Sequence, residues 1–239
     1  MKIRLFTVPN LLTLMSLMCG SFAALAALGL GDLRLAFWLL IAAALFDFAD
    51  GFTARLLGCP SAIGVQLDSL SDMISFGFAP ASILVALYLR AEALLPWDGR
   101  VQYAGVLLLY LLTAFSALRL AKFNLDETQR AEFCGLPTPA AALLCASMGL
   151  IEAQGGFSLA REWLLLLAVG LGLLLISPIR MFALKFHGFG WRGNELRYLF
   201  LAACAVLIFT LRTYAIPAIV VLYIVVSTVR WLVRGRPRG

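Results

Sequence analysis

Apolar segments of similar length follow one another along the whole chain, with short polar connections between them. Eight of them approach the roughly 20 residues that a helix needs to cross the hydrocarbon core of a bilayer. They cover residues 11–30, 35–57, 73–89, 101–123, 136–154, 163–179, 196–211 and 214–233. A membrane β-barrel would instead alternate apolar and polar residues with a period of two. The pattern therefore predicts an all-α, polytopic membrane helix bundle with about eight transmembrane helices.

The composition indicates a single integral membrane domain over residues 1–239. Hydrophobic residues make up 62% of the chain and charged residues 13%, a balance that ordinary soluble domains do not have. Because the apolar segments recur throughout the sequence, no stretch is left that would build a separate soluble domain.

The basic residues predict the orientation of the bundle. With eight crossings, fourteen of the 19 Lys and Arg residues fall on the side that carries both termini. The positive-inside rule places that side in the cytoplasm. We expect a multi-pass protein of the cell inner (cytoplasmic) membrane with both termini cytoplasmic. Basic residues that flank membrane segments and face anionic lipid also explain the net charge of +6 without a nucleic-acid partner.

Four aspartates lie within the second apolar segment and directly before the third. Asp47 and Asp50 lie one helical turn apart, as do Asp68 and Asp72, and the intervening "LLGCPS" reads as the turn of a helical hairpin. A single charge at the bilayer centre costs about 2.5–3.5 kcal/mol on insertion scales, and four carboxylates also repel one another. Divalent cations would offset both costs, and hard oxygen ligands favour Mg²⁺, Mn²⁺ or Ca²⁺ over zinc.

The aspartates alone leave two classes of function open. Intramembrane carboxylates commonly mark the proton or cation pathway of a transporter, and they fit a catalytic metal site equally well. A cation transporter has no evident use for Arg55 or for Gly51 and Gly64, which lie within a turn of an aspartate and let a ligand approach the backbone. Close helix packing is the other explanation for each glycine.

The full spacing is Asp47-x2-Asp50-Gly51-x2-Ala54-Arg55-x8-Gly64-x3-Asp68-x3-Asp72. It resembles, without a mismatch, the signature of the CDP-alcohol phosphatidyltransferases. Members of that family transfer a phosphatidyl group from a CDP-linked lipid to a small alcohol and release CMP. The resemblance implies a catalytic core at about residues 1–180 that faces the cytoplasm, and two divalent cations, Mg²⁺ or Mn²⁺, with Ca²⁺ as a third candidate. Because the family is commonly homodimeric, a homodimer is the expected assembly.

The resemblance also gives the signature residues roles. It implies that Asp47, Asp50 and Asp68 hold the metals, and that Asp72 is both the fourth ligand and the catalytic base. The positions that match CDP-diacylglycerol contacts in the family are Asn10, Thr13, Gly51, Arg55, Ser61 and Gly64. For Asn10, which follows a proline in "PNLLT", helix capping is an alternative explanation.

The acceptor alcohol is suggested by other stretches. "VPNLLTLMSLMCGSFA", "LDSLSDMISFGFAPA", "LRLAKFN" and "GLPTPAAA" resemble the phosphatidylserine synthase branch of the family and imply L-serine. Arg119, Lys122 and Asn124 are the candidates for binding the serine carboxylate, although they also suit the anchoring of a membrane segment. Lys122 departs from the branch, in which an Arg is expected.

Three other acceptors stay open at the level of sequence. Glycerol phosphate or inositol phosphate would need an additional basic cluster, for which Arg180, Lys185 and Arg192 are available. Choline would need an aromatic cage, for which the candidates are Phe76, Phe78 and Phe123.

Overall fold

The structure is a computed structural model that describes residues 5–58, 61–125, 132–182, 190–191 and 193–234. Within these residues the chain forms eight helical segments and one small antiparallel sheet. The helices are α1 (Val8–Leu30), α2 (Leu33–Leu56), α3 (Ala62–Arg90), α4 (Gly99–Leu125), α5 (Thr138–Ala153), α6 (Arg161–Ile176), α7 (Glu195–Leu211) and α8 (Ala215–Arg234). The strands are β1 (Glu132–Cys134) and β2 (Arg180–Phe182), paired with Phe133 opposite Met181.

Short polar side chains define where the first four helices begin. Each accepts a hydrogen bond from a backbone N–H of the first helical turn, which would otherwise lack a partner. The capping residues are Thr7, Asp32, Ser61 and Asp98. Between α1 and α2 the chain reverses at Gly31, whose φ of 68° lies in the left-handed region that glycine adopts without steric cost.

The last two helices form an antiparallel hairpin. The rings of Phe200 in α7 and Tyr223 in α8 lie 6.0 Å apart, whereas one straight helix would separate these positions by about 34 Å. The reversal occurs at the single helical turn Arg212–Tyr214, where Arg212 has a φ of 50°. Two of the predicted segments, 196–211 and 214–233, therefore correspond to two separate helices.

The prediction of a membrane helix bundle is confirmed. Five helical stretches in the described part of the chain are long and apolar enough to cross a membrane, counting the α7–α8 hairpin as one. Helices α5 and α6 have 16 residues each. The number of eight crossings stays a prediction.

The predicted third segment began too late. Helix α3 starts at Ala62 rather than at residue 73. The reason is that Ser61 caps the helix, and residues 62–72 form helical turns that lead directly into the apolar part. Asp68 and Asp72 therefore lie inside α3. The hairpin turn includes Gly58, at a φ of 59°, while Cys59 and Pro60 are outside the described residues.

Helix α3 is the centre of the bundle. Every residue from Ala79 to Tyr88 is buried, and α1, α4, α5 and α6 pack around this stretch. At one end of the bundle, Arg90 forms an ion pair with Glu152 of α5 at 3.3 Å, and Arg161 donates to the carbonyl oxygen of Ala91 at 2.9 Å. The four aspartates are at the opposite end.

Candidate active site

The α2–α3 hairpin brings three aspartates to one point. Asp47 and Asp50 come from the last three turns of α2 and Asp68 from the second turn of α3. Each offers one carboxylate oxygen, and these atoms all lie within 4.8 Å of one another. Asp50 is buried, and its Oδ2 has no hydrogen-bond partner among the residues that the structure describes. Such a cluster of hard oxygen donors suits a divalent cation.

Asp72 lies one turn beyond Asp68 and beside Asp47, so the four carboxylates form one continuous group. Its Oδ1 is buried and bonds to none of the described residues. Within the described part of the chain, none of the four aspartates forms a salt bridge with Lys or Arg. Two cations act on the group from farther away, Arg55 on Asp50 and Arg119 on Asp72. Four carboxylates without a direct ion pair again fit bound metal ions.

A cavity of about 150 Å³ opens beside the aspartates, between α1 and the hairpin. Five of the six residues predicted to contact CDP-diacylglycerol line it, together with Asp50 and Asp68. The five are Asn10, Thr13, Gly51, Ser61 and Gly64. The sixth, Arg55, is exposed, and a Cβ built on Gly51 would lie 3.4 Å from its Nη1. The guanidinium is thus at the edge of the cavity.

Helix α1 supplies the wall of the cavity opposite the hairpin. The side-chain Nδ2 of Asn10 donates to the carbonyl oxygen of Leu5 at 2.8 Å, which fixes the side chain. A Cβ on Gly64 would lie 3.4 Å from Asn10 Oδ1, so this oxygen faces the cavity. Thr7 caps the helix, and the capping explanation for Asn10 is therefore wrong.

The two cavity glycines differ in their surroundings. Around Gly51, only the flexible Arg55 side chain comes within 4 Å of an added Cβ, so helix packing in the described part of the chain does not require glycine there. At Gly64, an added Cβ would meet Ser61 Oγ at 3.0 Å as well as Asn10. Of these two glycines, Gly64 is therefore the one whose position requires glycine partly because α1 and α3 lie close together.

Serine hydroxyls join helices α1, α2 and α3 near the cavity. Ser71 and Ser75 of α3 donate to the carbonyl oxygens of Thr13 and Ser16 in α1, at 3.1 and 3.0 Å. Ser16 in turn donates to the carbonyl oxygen of Ala43 in α2 at 2.9 Å. We did not predict these contacts. Their signal is the pair of serines four residues apart in an apolar context, a spacing that polar contacts between membrane helices use.

The three predicted acceptor residues, Arg119, Lys122 and Asn124, differ in their surroundings. Arg119 of α4 is buried, acts electrostatically on Asp72, and donates from Nη1 to the hydroxyl of Thr138 in α5 at 3.3 Å. Asn124 donates to the Ser69 hydroxyl at 2.7 Å, which ties the end of α4 to the turn of α3 between Asp68 and Asp72. Lys122 is exposed.

The residues for the alternative acceptors are not assembled into a site in the described part of the chain. Phe76 is buried in the core, Phe78 stacks on Tyr110 at 5.5 Å, and Phe123 lies under the Arg119 guanidinium at 5.3 Å. For phosphate-bearing acceptors, Arg180 belongs to β2, while Lys185 and Arg192 are outside the described residues.

Comparison of the sequence with known proteins places the chain in one family. A sequence profile described as CDP-alcohol phosphatidyltransferase matches residues 6–174. The CDP-diacylglycerol–serine O-phosphatidyltransferase of Helicobacter pylori is 32% identical over 232 residues, which cover 95% of this chain and 92% of that protein. The protein of the same name in Methanocaldococcus jannaschii is 32% identical over 179 residues, 74% of each chain. The archaetidylserine synthase of Methanothermobacter thermautotrophicus is 34% identical over 173 residues, 72% of this chain and 67% of that protein.

Proposed function

The chain belongs to the CDP-alcohol phosphatidyltransferase family, and from this premise we propose that it transfers the phosphatidyl group of CDP-diacylglycerol to L-serine. The products are phosphatidylserine and CMP, a reaction of the EC 2.7.8 class. The observation that carries the proposal is the convergence of Asp47, Asp50 and Asp68 at the edge of a cavity lined by the predicted nucleotide-binding residues. The relatives whose names specify serine support the choice of acceptor.

The aspartates are the proposed ligands of two divalent cations, Mg²⁺ or Mn²⁺, with Ca²⁺ as a third candidate. Asp47, Asp50 and Asp68 would hold them, with Asp72 as the fourth ligand. When bound, such ions neutralise the charge that develops on a pyrophosphate as it is cleaved.

The cavity is the proposed seat of the CDP-diacylglycerol headgroup. Asn10 Oδ1 would accept a hydrogen bond from the headgroup there, and Gly51 leaves room for a ligand to lie against the backbone of α2. Arg55, at the edge, suits a phosphate oxygen because its planar guanidinium presents paired donors. The cavity is far smaller than a whole lipid, so we expect the acyl chains to extend into the bilayer.

Asp72 is the proposed catalytic base. Its free Oδ1 takes the proton of the serine hydroxyl as the serine oxygen attacks the lipid-side phosphorus. The bond from that phosphorus to the CMP oxygen breaks, and CMP leaves in line. Arg119 and Asn124 lie on the α4 side of Asp72, where they would bind the serine carboxylate; Lys122 is the third candidate and is exposed.

We also propose the location, assembly and domain extent of the protein. We place the protein in the cell inner membrane as a multi-pass homodimer with its active site and both termini cytoplasmic, supported by the excess of Lys and Arg on the side of the site. A single domain spans residues 1–239 with its catalytic core at about 1–180. The profile match over residues 6–174 supports that core.

The decisive experiment measures CMP release by the purified protein from CDP-diacylglycerol, with and without L-serine. Direct attack predicts that CMP appears only with the acceptor and that a chiral thiophosphate substrate is inverted at phosphorus. Ping-pong kinetics with net retention would instead indicate a covalent phosphatidyl-enzyme. A clear preference for choline, glycerol phosphate or inositol phosphate would reject serine, and an inactive protein that moves cations across vesicles would support a transporter.

A further inference from the structure

Arg119 is a buried cation with most of its donors unused. Only 7% of the residue is exposed, and within the described ranges it donates one hydrogen bond, to Thr138. Its Nε has no partner, and no carboxylate in the described residues lies within salt-bridge distance. A guanidinium has five N–H donors, and a buried charge is stable only when it is paired. The surroundings of Arg119 are thus built to receive an anion.

Helix α8 carries two neighbouring hydroxyl groups, and the first of them lies near Arg119. Tyr223 lies within electrostatic reach of Arg119, and its hydroxyl donates to the carbonyl oxygen of Phe182 at 3.0 Å. With its only proton engaged, this oxygen offers lone pairs alone. The ring packs against Phe182 at 5.0 Å, which fixes its position.

Ser227 follows Tyr223 by one helical turn on the same face of α8. It is fully buried, with 0% of its surface exposed. Its hydroxyl lies beside that of Tyr223, and Ser227 Oγ has no hydrogen-bond partner of good geometry in the described part of the chain. A buried hydroxyl without a partner is costly, and a bound polar ligand would remove that cost.

We propose that Tyr223 and Ser227 bind the ammonium group of the acceptor, so that the last helix completes the acceptor site. This inference rests on the proposed function. The site then has three corners that match the three polar groups of serine: Arg119 for the carboxylate, Asp72 for the hydroxyl, and the α8 oxygens for the ammonium. Helix α8 lies beyond the part of the chain that the family profile matches, so this corner is outside the shared catalytic core.

The assignment of the ammonium to α8 follows from the donors and acceptors. A carboxylate only accepts hydrogen bonds, and the committed Tyr223 hydroxyl has no proton to give it. An ammonium carries three donors and is well matched to two neutral oxygens with free lone pairs. The competing explanation is that Tyr223 merely supports Arg119, in which case its loss would weaken carboxylate binding.

The test uses 3-hydroxypropionate, which is serine without its amino group, as a competitor of L-serine. For Tyr223→Phe and Ser227→Ala, the KM for L-serine should rise roughly tenfold, as expected for a lost hydrogen bond to a charged group. The inhibition constant of 3-hydroxypropionate and the KM for CDP-diacylglycerol should stay unchanged. Tyr103→Phe and Ser21→Ala are matched controls, because Tyr103 is exposed and Ser21 bonds only within α1.

The possible results distinguish a wrong ammonium assignment from a wrong transferase function. If serine and 3-hydroxypropionate weaken equally, or if neither changes, the ammonium assignment is overturned while the transferase function stands. If the wild-type protein releases no CMP with L-serine, the proposed function itself fails. Should Tyr223→Phe not fold, Ser227→Ala decides alone, since it removes a single oxygen that has no hydrogen-bond partner among the described residues.

Discussion

The hydroxyl of Ser71 in α3 donates a hydrogen bond of 3.1 Å to the carbonyl oxygen of Thr13 in α1. The two residues lie 58 positions apart. The bond joins the helix that carries Asp68 and Asp72 to the helix that lines the cavity with Asn10 and Thr13. The proposed metal-binding side and nucleotide-binding side are thereby held at a fixed separation, which is what in-line transfer requires.

Replacing Gly20 tests this joint between α1 and α3. A Cβ at Gly20 would lie 2.6 Å from the Cα of Ser75, so Gly20→Ala must push the two helices apart. We expect a loss of about 1–3 kcal/mol in the free energy of unfolding, typical of overpacking, measured by thermal or denaturant unfolding in detergent. Gly170→Ala, with open space around its Cβ, is the control and should not be destabilised. Equal stability of both variants would show that the helices tolerate separation.

Metal dependence should be strict. Excess chelator should abolish CMP release, and added Mg²⁺ or Mn²⁺ should restore it. Asp47→Asn removes a proposed ligand and should weaken metal affinity by more than the roughly 10–100-fold that loss of an outer-shell partner costs, measured by metal titration of activity. Asp98→Asn, at a helix cap on the other end of the bundle, should behave as wild type. Full activity in chelator would remove the metal site from the mechanism.

Asp72→Asn should separate binding from chemistry. The variant keeps the size of the side chain but cannot take a proton, so turnover should fall by about 10²–10⁴. CDP-diacylglycerol binding, followed by isothermal titration or by competition, should persist because Asp72 does not line the cavity. A turnover close to that of wild type would mean that another group is the base.

Arg55→Lys should affect the nucleotide lipid and leave the acceptor unaffected. Lysine keeps the charge but loses the paired donors of the guanidinium, so we expect the KM for CDP-diacylglycerol to rise by about tenfold with an unchanged KM for serine. Arg100→Lys, exposed near the start of α4 at the opposite end, controls for general effects of the substitution. If the KM for serine rose instead, Arg55 would belong to the acceptor side.

Arg119 and Lys122 should differ despite their proximity in sequence. Arg119→Gln removes the buried cation beside Asp72 and should raise the KM for serine by about tenfold or more, as expected when a bond to a charged group is lost. Lys122→Gln alters an exposed side chain and should change that KM by less than about twofold. Steady-state kinetics at saturating CDP-diacylglycerol measures both. The reverse order of effects would assign carboxylate binding to Lys122.

Much of the site could be predicted because it is encoded locally. Asp47 and Asp50 are three residues apart and Asp68 and Asp72 four, so helical periodicity alone puts each pair on one face. Gly58 and Pro60 between them predict the turn that brings the two faces together. The boundary of α3 was predicted less well, since a hydropathy criterion stops at residues 61–72, where polar and apolar residues are mixed, while a cap and continuous backbone hydrogen bonds carry the helix through them.

The sequence by itself thus determined the membrane bundle, the hairpin and the set of carboxylates, because apolar segment length and spacing within one helix depend only on neighbouring residues. The tertiary structure alone decided which basic residue lies beside Asp72, since Arg119 and Lys122 are one turn apart. Only the packing of α4 on α3 and α6, with the contact of Arg119 to Thr138 of α5, buries the first and leaves the second exposed. It also decided that Tyr223 lies within electrostatic reach of Arg119, more than 100 positions away in the chain. Contacts of that range depend on how whole helices pack, which no local pattern of residues records.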